Sequence, residues 1–221
     1  MFKNWIVPLL LTMAPLALAA EPTTLSVRIV DSSTGEPVED ARVIINHGQA
    51  AEPSSAEMIQ KGREFRPHSL VVPRGSKVDF PNRDNTQHHV YSFSPAKSFN
   101  IELFAGQPEE PILFDKTGVV EVGCNIHDQM QGFILVTESA LTARTGPDGM
   151  AAIRLPASVS AMADGKLDFS LWHDRLQNTT QTVDVTASIP SSGPLELALD
   201  LKLERPEKGR LDGLQKRFQD L

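Results

Sequence analysis

Cysteine occurs once in this chain of 221 residues, at Cys124, and that scarcity excludes an internal disulfide framework. Basic charge is also short. Lysine and arginine number 21 against 28 aspartates and glutamates, for a formal charge of −7, and no basic block interrupts the sequence. Such a surface repels nucleic acid, which excludes nucleic-acid binding as a function, and it favours a positively charged protein partner. After the first twenty residues there is no apolar run long enough to span a membrane. Helical periodicity is missing between residues 60 and 137, so the middle of the chain is not a helical bundle.

The first twenty residues read as a secretory signal. Lys3 gives a short basic start, Trp5 to Leu18 is apolar, and Ala17-Leu18-Ala19 or Leu18-Ala19-Ala20 offers small residues for cleavage. Pro8 and Pro15 interrupt the apolar run, which favours a cleaved signal over an uncleaved anchor. The expected location is the periplasm. Cleavage there removes one basic side chain, Lys3, and leaves 20 basic against 28 acidic, a formal charge of −8. In an oxidising compartment a lone thiol is buried, paired with another chain, or bound to a metal.

The rest of the chain reads as short β-strands divided by turns. Leu25, Val27 and Ile29 alternate with polar residues, Asp31-Ser32-Ser33-Thr34-Gly35-Glu36-Pro37 is a turn by composition, and Ala41 to Ile45 is a second strand, so residues 21–54 are expected to form a hairpin region. Residues 47–59 read as a loop. Strands are expected at 65–72, 77–80, 89–93, 98–104, 111–114, 119–122 and 133–136, spaced as in a β-sandwich. Thr145-Gly146-Pro147-Asp148-Gly149 is a turn followed by strands at 150–155, 166–172, 180–188 and 195–203. From Pro206 the tail is charged, and Leu211, Leu214, Phe218 and Leu221 recur at helical spacing, an amphipathic helix over 205–221.

Chemistry gathers around Gly123-Cys124-Asn125-Ile126-His127-Asp128-Gln129-Met130. A soft thiolate, an imidazole and a thioether on one short turn suit copper better than other common metals. A complete site needs a second imidazole, and the segment Asn82-Arg83-Asp84-Asn85-Thr86-Gln87-His88-His89-Val90 offers two. Strand alternation sends those two rings to opposite faces, so one of them, not both, can ligate; counting from Asn82 favours His88.

Residues 65–137 resemble a cupredoxin, the blue-copper β-sandwich, closest to its amicyanin-like branch and to exported methylamine utilization proteins. The resemblance rests on Val78-Asp79-Phe80-Pro81-Asn82-Arg83-Asp84 leading to His88 and Val90, on Val119 to Gly123 leading into the cysteine, and on Cys124, His127 and Met130 at Cys-x-x-His-x-x-Met spacing before the strand 132–136. It implies one copper ion held by His88, Cys124 and His127 with Met130 as a weak axial ligand, cycling between Cu(I) and Cu(II). One departure is His89, which stands where cupredoxins carry an asparagine that ties the cysteine loop to its neighbour. The pattern Val30-Asp31, Gly35, Pro37-Val38, Ala41, Val43, with the Asp-Gly turn at 148–149, resembles a transthyretin-like or carboxypeptidase-regulatory β-sandwich.

The expected fold is therefore all-β: a cupredoxin-like Greek-key sandwich with further β-sandwich strands before and after it. The expected divisions are a signal at 1–20, the hairpin region 21–54, a copper domain 55–139, a C-terminal β region 140–204 that pairs with 21–54, and the helical tail 205–221. Tandem domains and one enlarged sandwich are the other arrangements the pattern allows. Catalysis is not expected. Gly123 and Asn125 stand where multicopper oxidases carry histidines, a binuclear copper centre needs a second cysteine, and Cys124 has no evident base partner for nucleophilic work beyond His127. The functional expectation is a periplasmic one-electron carrier serving a redox partner protein. Copper delivery, storage or sensing, with a copper-handling partner, is a second reading, and a structural module with a vestigial metal site is a third. His47, His68 and His173 are expected to play no part in the site.

Overall fold

A computed structural model describes residues 23–48, 50–108, 110–127, 129–160 and 165–203. The signal expected at 1–20 and the helix expected at 205–221 lie outside the described residues. In chain order the elements are β1 (Thr23–Asp31), β2 (Arg42–Ile45), β3 (Ser55–Glu57), β4 (Ile59–Gln60), β5 (Phe65–Arg66), β6 (Ser69–Pro73), β7 (Ser76–Asp79), β8 (His88–Ser94), β9 (Lys97–Phe104), β10 (Ile112–Phe114), β11 (Gly118–Gly123) and β12 (Gln131–Thr137). They continue with β13 (Thr142–Arg144), β14 (Met150–Leu155), α1 (Ala157–Ser160), β15 (Lys166–Trp172), β16 (Val183–Ser188) and β17 (Leu195–Leu199). The fold is all-β, as the sequence pattern requires. Among the described residues no helix is long and apolar enough to cross a membrane.

Alternating apolar residues make each strand one-sided, and the chain buries those sides in two bodies. In the first, the five-stranded sheet β6-β12-β11-β8-β9 covers the three-stranded sheet β10-β7-β3. Neighbours such as β12 and β6, or β11 and β8, are distant in sequence, which gives the sandwich its Greek-key character. Val78, Phe80, Val90, Phe114, Val120, Val122, Ile134 and Val136 fill its core, together with Cys124 and Met130. In the second body, β14-β1-β17 lies against β13-β2-β15-β16 around Val27, Ile29, Val43, Ile45, Phe169 and Leu171. Strands from before and after the first body thus share both sheets of the second.

Those pairings correct the expected hairpin. The turn forms as its composition requires: the amide and hydroxyl of Ser33 both donate to Asp31 Oδ1, at 2.9 and 2.6 Å, and Val30 bridges to Pro37. Beyond that bridge the chain crosses the core, burying Val38 and Ala41, and β2 joins the opposite sheet. β1 pairs instead with β14 and β17, and β2 with β13 and β15. Both strands carry an apolar face, and facing each other across a core buries the two faces together, which edge-to-edge pairing cannot do.

Three smaller differences concern strand ends. The strand expected at 65–72 is divided into β5 and β6 around Pro67, which has no amide to donate to a ladder. Two short strands, β3 and β4, lie where a loop was expected, with β3 parallel to β7 and β4 against β5. β17 ends at Leu199, and Leu201 forms only a bridge to Leu176.

The two bodies meet through β12, which is buried on both faces. Ile134 and Val136 point into the first core, while Phe133 and Leu135, with Val119 of β11, belong to the core of the second. Phe133 lies 4.8 Å from the Trp172 ring and edge-on to His68 at 5.5 Å. Polar contacts close the seam. Arg42 donates to the Ser69 hydroxyl from both Nε and Nη2, at 3.0 and 2.8 Å, and His68 Nε2 lies 3.1 Å from Asp174 Oδ2. The His68 hydrogen bond holds the Asp174 carboxyl below the usual carboxylate range, against the opposing effect of burial.

Candidate metal centre

The site forms where three strand ends converge. β8 begins at His88, β11 ends at Gly123 immediately before Cys124, and β12 starts just after Met130. Gly123 pairs with Tyr91 of β8, which brings the cysteine strand beside the histidine strand. A side chain at Gly123 would place its Cβ 3.0 Å from Tyr91 Cζ, so glycine lets the Tyr91 ring lie flat against the backbone next to Cys124. The loop 124–130 closes on itself. The Cys124 amide donates to the Met130 carbonyl at 3.1 Å, and the Met130 amide donates to the His127 carbonyl at 2.9 Å.

This geometry gathers His88, Cys124 and His127, whose ligand atoms all lie within 4.8 Å of one another. Cys124 Sγ is 3.7 Å from His88 Nδ1 and 3.6 Å from His127 Nδ1. Metal–sulfur and metal–nitrogen bonds of about 2.3 and 2.0 Å meeting at a trigonal angle separate sulfur from nitrogen by about 3.7 Å. Both sulfur–nitrogen separations match that value, and the soft thiolate with two imidazoles is a donor set that suits copper. His88 and Cys124 are buried, and His127 keeps part of its ring exposed. Met130 is buried in the core cluster that holds Cys124.

His88 is oriented from outside the donor set. Its Nε2–H donates to Asp84 Oδ2 at 2.8 Å, which leaves the Nδ1 lone pair facing the sulfur. Asp84 in turn accepts the Gly62 amide at 2.7 Å and the Arg63 amide at 3.0 Å. Burial opposes its ionisation, but the two amides and the His88 ring outweigh that effect and hold the carboxyl down at about 2. Asn82 fixes the start of the loop, donating from Nδ2 to the Thr86 and Phe104 carbonyls at 2.8 and 3.0 Å. His127 is held below the ordinary histidine range by burial first, then by the charges of His88 and Arg63, with Asp84 opposing.

His89 takes no part in the cluster. Strand alternation turns it to the other face of β8, where its Nε2 meets Asn100 Oδ1 of β9 and its ring lies 5.7 Å from Tyr91. The remaining histidines are engaged elsewhere. His68 is at the seam with Asp174; His173 is buried, with Nε2 on the Glu39 carbonyl at 3.0 Å and Nδ1 accepting the Arg175 amide at 3.1 Å. His47 is half-buried, 3.4 Å from Asp168, and lines a cleft of about 470 Å³ between the bodies. Asp84 is the residue that sequence reading passed over. An acid four residues before the histidine was visible, but its meaning depends on the loop Gly62-Arg63 arriving from another part of the chain.

No protein-family model matches the chain, and no curated protein matches it. Solved structures do match in part. A purple cupredoxin from Nitrosopumilus maritimus is 23% identical over 37% of this chain and 99% of its own, with a TM-score of 0.34. A variant of amicyanin in its reduced Cu(I) form at pH 4 is 16% identical over 43% of this chain and 98% of its own, with a TM-score of 0.35. A copper-containing nitrite reductase from Thermus scotoductus is 25% identical, and the match covers 49% of this chain and 27% of the enzyme, with a TM-score of 0.36.

Proposed function

We propose that this protein is a periplasmic one-electron carrier with a single type-1-like copper site, in which His88, Cys124 and His127 form the trigonal set and Met130 is the weak axial ligand. The observation that carries the reading is the convergence of one sulfur and two imidazole Nδ1 atoms, with both sulfur–nitrogen separations at the value a trigonal metal gives. Copper bound there supplies a Cu(I)/Cu(II) couple tuned by its soft ligands. The chain's own part is to hold the donors still. Cys124 is fixed at the end of a paired strand, His127 and Met130 by the closed loop, and His88 by Asp84. A site fixed in this way changes oxidation state with little movement, and the half-exposed His127 is the route by which an electron enters or leaves.

The domain arrangement belongs to the same proposal. Residues 55–139 form the copper domain, inserted into a small sandwich of the carboxypeptidase-regulatory kind built from 21–54 and 140–204; the shared sheets of β1 with β14 and β17, and of β2 with β13 and β15, support it. The protein acts as a carrier and not as an enzyme.

Copper(II) added to the purified chain tests the reading. An intense blue, green or purple charge-transfer band that bleaches reversibly on one-electron reduction is the expected result, and Cys124→Ser removes the band and weakens binding. Tight, colourless Cu(I) binding without reversible oxidation would point to copper handling instead. Full copper affinity in Cys124→Ser would overturn the site.

A further inference from the structure

The junction between the two bodies gathers charge of its own, away from the metal cluster. A cleft of about 610 Å³ opens there, and its lining includes Arg42, Arg144 and Arg175 with Glu39, Asp40 and Asp174. Most of these charges are matched. Arg175 Nη2 lies 3.4 Å from Asp31, the Arg144 guanidinium is paired with Asp40, and Asp174 lies 3.1 Å from both His68 and His173. Arg42 is the exception among the cations. It is half-buried and makes no ion pair with any described residue. Glu39 is likewise without an ion pair, but it is exposed, and the charges that act on the Arg42 guanidinium are those of Arg144 and Asp40.

Strand register sets up this uncompensated cation. β2 begins at Arg42, where its direct neighbours are Arg144 of β13 on one side and Trp172 of β15 on the other. Directly opposed residues share a face with Cβ atoms about 5 Å apart, and like charges so placed repel each other. Burial first, and then Arg144, lower the pKa of the Arg42 guanidinium, with Asp40 opposing. The side chain is also locked. Ser69 of β6 accepts from Nε and Nη2 at its hydroxyl, at 3.0 and 2.8 Å, and from Nη2 at its carbonyl, at 2.5 Å. These bonds use Nε and Nη2, and Nη1 has no acceptor among the described residues. A half-buried guanidinium on neutral acceptors alone is short of a counter-charge, and its geometry is fixed before one arrives.

We propose that the cleft binds a small organic monocarboxylate with an apolar body, its carboxylate on Arg42 Nη1 beside Arg144 and its body against Pro37, Pro67 and Pro147. The three prolines line the cleft and are exposed. Guanidinium N–H pairs match the two oxygens of a planar carboxylate. Local charge selects a monoanion: one cation is uncompensated, and Glu39 and Asp174 in the same lining repel a dianion such as phosphate more strongly. The volume falls within the range of about 300–1,000 Å³ for small-molecule sites, which form preferentially where two bodies meet. The site stands independently of the electron-carrier reading, since none of the metal-cluster residues lines it.

Titration of sodium benzoate into the full chain at constant ionic strength, followed by amide and arginine side-chain NMR, tests the proposal. Saturable shifts centred on residues 42, 68–69 and 144 are expected. Acetate, which lacks the apolar body, is expected to bind about tenfold more weakly, and inorganic phosphate is expected to bind more weakly than benzoate as well. Arg42→Gln is expected to abolish the saturable shifts. Because Arg42 also ties the bodies together through Ser69, a gain of binding supplies the independent check. Asp40→Asn frees Arg144 of its carboxylate and keeps a side chain suited to the left-handed φ of 65° at that position, so the fold is retained. It is expected to tighten benzoate binding about two- to fivefold, which a purely structural role for these arginines does not produce. Shifts that rise without saturating, shifts centred elsewhere, or benzoate binding that Asp40→Asn leaves unchanged or weakens would each overturn the proposal. Tighter binding of phosphate than of benzoate would overturn the organic monocarboxylate as the ligand.

Discussion

At Asp84 three donors converge on one carboxylate, the amides of Gly62 and Arg63 and the His88 ring. The amides keep it charged and the charge fixes the tautomer of His88, so Asp84 would act on a metal in the proposed site through His88. Asp84→Asn is expected to weaken copper binding by about 10- to 100-fold and to shift the reduction potential upward, since a less basic imidazole stabilises Cu(II) less. Competition with a chelator and a redox titration read the two effects. The same carboxylate links stability to pH. Its folded pKa of about 2 lies below the ordinary 3.8, so its stabilisation is complete above that ordinary value and is lost as pH falls toward 2. In melts of the metal-free chain, the gap between wild type and Asp84→Asn should be constant from pH 5 to 7 and close between about pH 4 and 2. A gap that does not close would remove the ionised carboxylate from the explanation.

Strand β12 carries both cores and also leads out of the metal loop. Near its start, a side chain at Gly132 would place its Cβ 2.9 Å from Phe65 Cβ and 3.3 Å from Met58 Sδ, so the strand approaches closely only because that residue is glycine. Gly132→Ala is expected to cost about 1–3 kcal/mol by overpacking, and to perturb the metal spectrum because Met130 is two residues away. On the opposite face, Phe133 is buried against Trp172. Phe133→Ala is expected to cost about 3–5 kcal/mol in denaturant unfolding while leaving the metal spectrum near that of the wild type. The two variants thus separate what β12 does for the site from what it does for the junction.

At the scale of the whole molecule, each of the two bodies leans on the other for part of its core. Val119, Phe133 and Leu135 point out of that body and into the other core, and Arg42 reaches across to Ser69. A fragment of residues 55–139 therefore exposes an apolar face that the full chain covers. It is expected to bind a hydrophobic dye and to self-associate in ultracentrifugation, while the full chain does neither. A monomeric, dye-silent fragment with full copper affinity would show that the packing between the bodies is dispensable. The two clefts of about 470 and 610 Å³ lie along this junction, and their linings include none of the cluster residues.

Local chemistry was legible in the sequence. Strand periodicity, turn composition and the soft donors at 124, 127 and 130 are properties of neighbouring residues, and a period of two or a ligand spacing needs no fold to be seen. The choice of His88 over His89 was legible as well, because alternation separates adjacent rings. What the tertiary structure decided depends on segments that meet from far apart. Asp84 gains its role only when Gly62 and Arg63 arrive. The apparent hairpin of β1 and β2 becomes a crossing between sheets because each strand has a better partner near the other end of the chain.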